Sequence, residues 1–342
     1  MPLSALLATG LLVSTVCTSA AQTSEPKNRF AKPIAGPVFL GPIVSPGQKV
    51  PDSDGVETSK RPADLAFGAY QRGYFLTALE LALPRADSGD PAAQTLIAQL
   101  YWNGLGVARD RRKATDWYKF AADGGGRAAQ FAYANILLQG KILKPNTEQG
   151  EVYMRKAADA GHPRAQFNVA QIITARRPTW ASFKEALPLY ESAAEAGIAD
   201  AQYALANIHA EAKGVAFGDD NKARQWLKLS AQGGFDSAQV DYGIWLANGR
   251  GGEKDIVEAR QWFIKAATQG NLVAQNRLAR IYAFGAGVEA DAILGSAWHI
   301  ISRRGGFSDT ELDRFFQSLK EIDKKRSIEA ANQLSRRLRS VN

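Results

Sequence analysis

The 342-residue chain has one cysteine, two methionines and three histidines. Cys17 lies in an uncharged N-terminal stretch. If that stretch is removed, the remainder can form no disulfide framework, thiol nucleophile or cysteine-based metal site. No two of His162, His209 and His299 are four residues apart, so the paired-imidazole spacing of a zinc-binding helix is missing. There is no G-x-S-x-G, H-E-x-x-H or Walker A sequence. Gly285-Ala-Gly287-Val-Glu-Ala290 fits a loose dinucleotide fingerprint, but it follows a helical pattern rather than a strand and recurs as an ordinary turn. Asp52-Ser-Asp54-Gly55 lacks the later ligands of a calcium loop. These absences leave no positive ground for an enzyme, so the expectation is a non-enzyme with no catalytic, cofactor or metal residues.

No apolar run reaches the roughly 20 residues of a spanning helix. The first 21 residues carry no charge, Leu3 to Val16 is apolar, and Ser19-Ala20-Ala21 supplies small residues for a signal peptidase. Residues 1–21 therefore read as a cleaved secretory signal, although no basic residue precedes the apolar core. A buried N-terminal helix is one alternative. Lipidation at Cys17 is another, but Val16 stands where lipoprotein signals carry a small residue. Export predicts a periplasmic or secreted protein, in a Gram-negative bacterium, with no membrane span after cleavage.

Residues 22–61 hold Pro26, Pro33, Pro37, Pro42, Pro46 and Pro51 with four interspersed glycines, a density that blocks helix and predicts an extended, disordered linker. Its middle, Pro37-Val38-Phe39-Leu40, is apolar enough to dock on another surface. Net charge is +8. From Lys324 onward six basic residues face one Glu. Such a tail could meet anionic lipid or an acidic partner, but it reads first as a solvated helix face, and export excludes nucleic acid as the expected partner.

After Pro62 a period appears. The pair Ala-Gln recurs at Gln94, Gln130, Gln166, Gln202, Gln239 and Gln275, at spacings of 36, 36, 36, 37 and 36 residues. Four residues after each Gln stands a small residue (Ala98, Ala134, Ala170, Ala206, Gly243, Ala279), and six after it a large apolar one. The small residue lets helices approach and the large one fills the space between layers. Glycine turns follow at Gly104-Leu-Gly106-Val107, Gly249-Arg-Gly251 and Gly285-Ala-Gly287-Val288. A second helix then reads Ala114-x-x-Trp117-Tyr118-x-x-Ala121-Ala122-x-Gly124, echoed by Ala259, Trp262, Phe263, Ala266, Ala267 and Gly270.

These residues resemble the Sel-1-like repeat family, relatives of the tetratricopeptide repeats with a longer inter-helix loop. The resemblance implies an all-α protein, a right-handed α-solenoid of two-helix Sel-1-like repeats. About seven units would span residues 62–306, with a C-terminal helical cap with basic tail at 307–342. The first unit, Ala66 to Gly89, lacks the extended loop, and the seventh degenerates after Trp298. The cap is expected to open on a capping box, Ser308 to Glu311, with Leu312, Phe315, Phe316 and Leu319 on one face. A second cap helix would follow, carrying Ile328, Leu334 and Leu338.

If the repeats explain the apolar residues, function falls to a surface. Positions two, five and nine after each Gln share one side of the first helix. They carry Gln99, Asn103, Asn135, Gln139, Asn168, Gln171, Asn207, Glu211, Asp241, Asn248, Arg277 and Arg280. Amides offer both donors and acceptors, which suits the backbone of an extended peptide or the hydroxyls of a sugar. In the fourth unit Arg176-Arg177-Pro178-Thr179-Trp180 replaces the glycine turn, and Arg176, Arg177 and Trp180 form a candidate hot-spot loop. His209 sits in the slot of Tyr101 and Tyr282 and reads as packing.

The resemblance implies an interaction scaffold or adaptor in envelope assembly, surface polysaccharide production or sensor signalling, with a protein partner. A glycan- or peptidoglycan-binding module is the alternative. A cell-wall-active or β-lactam-hydrolysing enzyme is the third reading, weakened because family members linked to that activity rely on cysteines missing here.

Overall fold

The computed structural model describes residues 64–177, 179–211 and 218–341, and among them every regular element is a helix. The expected export signal and linker, residues 1–21 and 22–61, lie outside the described residues, as do Pro178 and the side chains of Trp180 and Glu211. The described chain divides into two compact units, residues 64–193 and 194–341.

The first unit contains α1 (Leu65–Gln71), α2 (Phe75–Asp87), α3 (Pro91–Asn103), α4 (Arg111–Asp123), α5 (Arg127–Gln139), α6 (Thr147–Asp159) and α7 (Pro163–Arg176), and most of α8 (Trp180–Glu195). From α1 to α7 each helix packs on the next, and α3 also touches α5. The second unit contains α9 (Ala199–Glu211), α10 (Asp220–Gln232), α11 (Asp236–Asn248), α12 (Ile256–Thr268), α13 (Leu272–Phe284), α14 (Ala292–Arg304), α15 (Thr310–Ser318) and α16 (Glu321–Val341). There α9 to α14 pack in succession, while α15 contacts α13 and α14, and α16 lies along α14.

Three polar devices repeat with the period. First, the Gln of five of the six Ala-Gln pairs donates its side-chain N–H to a carbonyl eight residues earlier, while Gln166 instead accepts from the Ser192 hydroxyl. Gln94 reaches Ala86 at 3.0 Å, Gln202 reaches Ala194 at 3.0 Å, and Gln130, Gln239 and Gln275 reach Ala122, Ala231 and Ala267. The accepting carbonyls sit near the end of the preceding helix, whose last C=O groups have no partner within it. Each of these carbonyls also accepts a backbone N–H from the turn that follows it, as Ala86 does from Gly89 and Ala122 from Gly125, so the Gln adds a second bond, worth about 1 kcal/mol, that ties one helix pair to the next.

Second, most loops within a helix pair are closed by a backbone bond. The N–H of Asp110, Asn146, Asp255 and Asp291 donates to the carbonyl of Tyr101, Leu137, Leu246 and Tyr282. Third, the same Asp or Asn side chain then caps the second helix. Asp110, Asn146, Asp219, Asp255 and Asp291 all accept from N–H groups of the first turn, each worth about 1 kcal/mol. Thr179 takes this role for α8, accepting from the Ser182 N–H at 3.3 Å. First helices α3, α5, α11 and α13 end on Gly104, Gly140, Gly249 and Gly285 in the left-handed region, where a side chain would be strained.

Two expectations for the cap need correction. Its first helix begins at Thr310, and Asp309, not Ser308, is the N-cap, accepting from the N–H groups of Glu311 and Leu312. Glu311 turns to Arg280 rather than back to the cap, so no capping box forms. In the long helix α16 the buried residues are Ser327 and Ala331, with Leu334 and Leu338 packed against the core, while Ile328 is exposed.

Candidate partner-binding face

The structure sorts the residues expected on the first-helix face into three groups. Some are shut in between helices. Gln99 is buried, and Asn135 is only 1% exposed with its side-chain N–H group unpartnered. Asn168 turns toward α6, its amide nitrogen 3.8 Å from the Met154 sulfur.

Others are consumed by bonds within the protein. The Tyr203 hydroxyl donates to Asp241 at 2.7 Å, linking α9 to α11. Arg280, expected in the groove, is 7% exposed and donates to Asp309 at 2.9 Å and to Glu311 at 2.7 Å. Asn276 donates to the same Asp309, and Arg277 beside them is buried. The charged end of the row is thus part of the cap, because first helices separated by alanine and glycine approach closely enough for positions two and five to meet their neighbours.

A third group stays open. Asn103 and Asn248 are exposed, and Gln139, Gln171 and Asn207 are half-buried. Asn103 donates to the carbonyl of Gln99 at 3.1 Å, which leaves its oxygen outward. The amides of Gln139 and Gln171 bond no described residue. In the first unit the open row is therefore Asn103, Gln139 and Gln171. In the second it is Asn207 and Asn248, with the Glu211 side chain outside the described residues.

The candidate hot-spot loop is only partly shown. Arg176 ends α7 and pairs with Glu151 of α6, beside a shallow cleft formed by Thr147, Glu148, Val152 and Arg155. Arg177 is exposed with extended backbone. Among the histidines, His162 caps α7 by accepting from the Ala165 N–H and stacks on Phe131 at 4.3 Å. Burial, reinforced by the cations of Arg127 and Arg164, pushes its imidazole down to about 4. His299 is buried with its Nε2 2.9 Å from Asp313. Among the described residues no cluster of His, Cys, Asp or Glu could hold a metal ion, and no helix is long and apolar enough to cross a membrane.

Stacked helix pairs joined by glycine turns and stitched by a periodic glutamine place the chain among the α-solenoid repeat proteins. The Sel1 repeat model matches residues 91–126, 127–162, 163–198, 199–235, 236–271 and 272–304, and the chain belongs to the Sel1 repeat family. Residues 65–89 and 305–341 lie outside the matched repeats.

Two solved structures are similar. A Sel1 repeat protein from Oxalobacter formigenes shares 29% identity at a TM-score of 0.58, over 70% of this chain and 98% of that one. The second is c5321, a protective antigen present in uropathogenic Escherichia coli strains displaying an SLR fold. It shares 25% identity at a TM-score of 0.61, over 79% of this chain, and the match spans 60% of the antigen. No curated protein sequence matches significantly. Sel1 repeat proteins typically mediate protein–protein interactions, and the scaffold is generally non-catalytic.

Proposed function

We propose that this protein is an exported adaptor that holds an extended segment of a partner protein along the open first-helix row of residues 64–193. The observation that carries this reading is the row Asn103, Gln139 and Gln171. These amides stand at the same face in successive units, and those of Gln139 and Gln171 bond no described residue. An extended peptide has one N–H and one C=O per residue to satisfy, and a primary amide offers both. Residues 1–21 support export, with envelope assembly, surface polysaccharide production and sensor signalling as the settings for such an adaptor. The mature protein is expected in the periplasm with Gln22 at its N-terminus, as fractionation and N-terminal sequencing would show.

The partner test is a crosslinked pulldown from periplasmic extract, comparing the wild type with Asn103→Ala/Gln139→Ala/Gln171→Ala. Loss of three amides that touch the ligand and not the core is expected to cut partner recovery by about tenfold or more while the helical circular dichroism stays unchanged. Undiminished recovery contradicts the reading. So does calorimetric binding of peptidoglycan fragments or exopolysaccharide to the wild type that the triple variant loses.

A further inference from the structure

One edge of the first unit concentrates positive charge where the fold gains nothing from it. Arg111, Arg112 and Lys113 are the first three residues of α4, at the end where a helix dipole favours anions and disfavours cations. No other second helix opens this way. The first three positions hold no charge in α2, α8 and α14, one Glu in α6 and in α12, and a balanced Asp and Lys in α10. Arg109 precedes the cap of α4, and Lys141 and Lys144 lie in the corresponding loop one unit on. All six cations are exposed, and among the described residues no carboxylate pairs with any of them. Asp110, the one acid in residues 104–115, is engaged as the cap, accepting from the N–H groups of Arg112 and Lys113.

The corresponding junction of the second unit is neutralised. There Arg250, eleven residues after Gln239, pairs at 2.7 Å with Asp220, the first residue of the preceding second helix α10. Lys141, eleven residues after Gln130, stands in the register of Arg250, and Arg111, which opens α4, stands in that of Asp220. Two cations thus replace an attraction between loop and helix, and packing does not account for them.

The same cations flank the open amide row. A Cβ on Gly104 would lie 3.0 Å from the Arg109 Cβ, which sets Arg109 beside the glycine that follows Asn103. The Arg111 guanidinium lies 5.3 Å over the ring of Trp102, the residue before Asn103. Lys141 follows Gln139 by two residues. Guanidinium groups take carboxylates in paired, charge-assisted bonds, so this edge is complementary to an acidic chain. The apolar residues of the two loops, Leu105, Val107, Ile142 and Leu143, are half-buried rather than exposed. The edge therefore lacks the outward apolar side chains that insert into a lipid surface.

We infer that the partner segment held along Asn103 and Gln139 is acidic, and that its Asp and Glu side chains run over the basic edge from Arg109 to Lys144. This rests on the adaptor reading and adds the chemical class of its ligand.

Fluorescence anisotropy of the full chain with a labelled twelve-residue peptide alternating Asp and Thr tests it, beside an Asn-Thr counterpart and phosphatidylglycerol vesicles. The acidic peptide is expected to bind about tenfold or more tightly than the neutral one, and raising the salt from about 0.05 to about 0.5 M should remove most of that difference. Arg109→Glu/Arg112→Glu should weaken its binding by about tenfold with the helical signal retained, because glutamate at the start of α4 suits the dipole. Equal affinity for the two peptides, or undiminished binding in the double variant, overturns the acidic segment. So does binding to the vesicles without binding to the acidic peptide. The double variant in the periplasmic pulldown separates the two readings. Loss of the partner there, as in the amide variant, supports both. Recovery that depends on the amides but not on Arg109 and Arg112 overturns the acidic segment and leaves the adaptor standing, and recovery undiminished in both variants overturns both.

Discussion

Asp309→Ala should cost the second unit about 3–4 kcal/mol, the range for stripping one partner from a buried ion pair together with loss of a helix cap. Asp309 accepts from Arg280 and Asn276 and also caps α15 through the N–H groups of Glu311 and Leu312. Without it Arg280, 7% exposed, keeps only Glu311, whose side chain is 42% exposed, and that remaining pair holds the loss to this range. Urea unfolding followed by far-UV circular dichroism measures it, and a midpoint close to wild type would show that the cap is not anchored here.

The same contacts set an acid response. Burial alone would raise the Asp309 carboxyl, but the bonds from Asn276, Arg280 and the Leu312 N–H, with the guanidinium charge, hold it below its ordinary 3.8. A depressed carboxyl contributes its full stability above the unfolded value and loses it as pH falls through the folded one. The second unit should therefore weaken below about pH 4. In the first unit His162 acts earlier. The unfolded chain takes up its proton near 6.5 and the folded chain near 4, so stability falls between those values.

Gly295→Ala is expected to destabilise the second unit by about 2–3 kcal/mol through overpacking, although the repeat register argues for the opposite. Ala114, Ala186, Ala223 and Ala259 fill this position in other units and are fully buried, and alanine in place of glycine inside a helix ordinarily gains about 1 kcal/mol. At Gly295 a Cβ would lie 2.5 Å from the Ala283 nitrogen and 3.0 Å from the Ala279 carbonyl oxygen. Both are backbone atoms of α13, so α14 would have to move away. Gly150 shares the register, but its Cβ would first meet the Leu138 side chain, at 2.8 Å, and that side chain can rotate. Gly150→Ala should be near neutral or slightly stabilising. A gain in unfolding midpoint for Gly295→Ala would mean that α13 and α14 are less closely packed than described.

That contrast shows what a sequence of repeats conveys. The 36-residue spacing of Ala-Gln was enough to identify the helix pairs and their family, because small and large apolar residues at fixed offsets define which face packs. The Gln of the pair was visible as a marker, but its bond to a carbonyl eight residues earlier was not, since a glutamine in a helix is as often solvated. The periodic Asp110, Asn146, Asp219, Asp255 and Asp291 are likewise a capping signal legible in the sequence. The candidate face is less legible. A helical wheel places positions two, five and nine on one side, but it does not know how closely the next first helix lies. That approach buries Asn135, spends Asp241 on Tyr203 and spends Arg280 on Asp309, and it leaves the amides at position nine and at Gln171 and Asn207 accessible.

The central claim, that the open first-helix row holds a protein partner, is tested most directly by photo-crosslinking in cells from single probe positions. Probes at Gln139 and Gln171 lie on the row, and probes at Arg155 and Lys184 lie on the outward side of second helices in the same unit. The account predicts one shared protein adduct from Gln139 and Gln171 and none from the other two. Adducts from Arg155 and Lys184 alone, or equal trapping from all four, would contradict it.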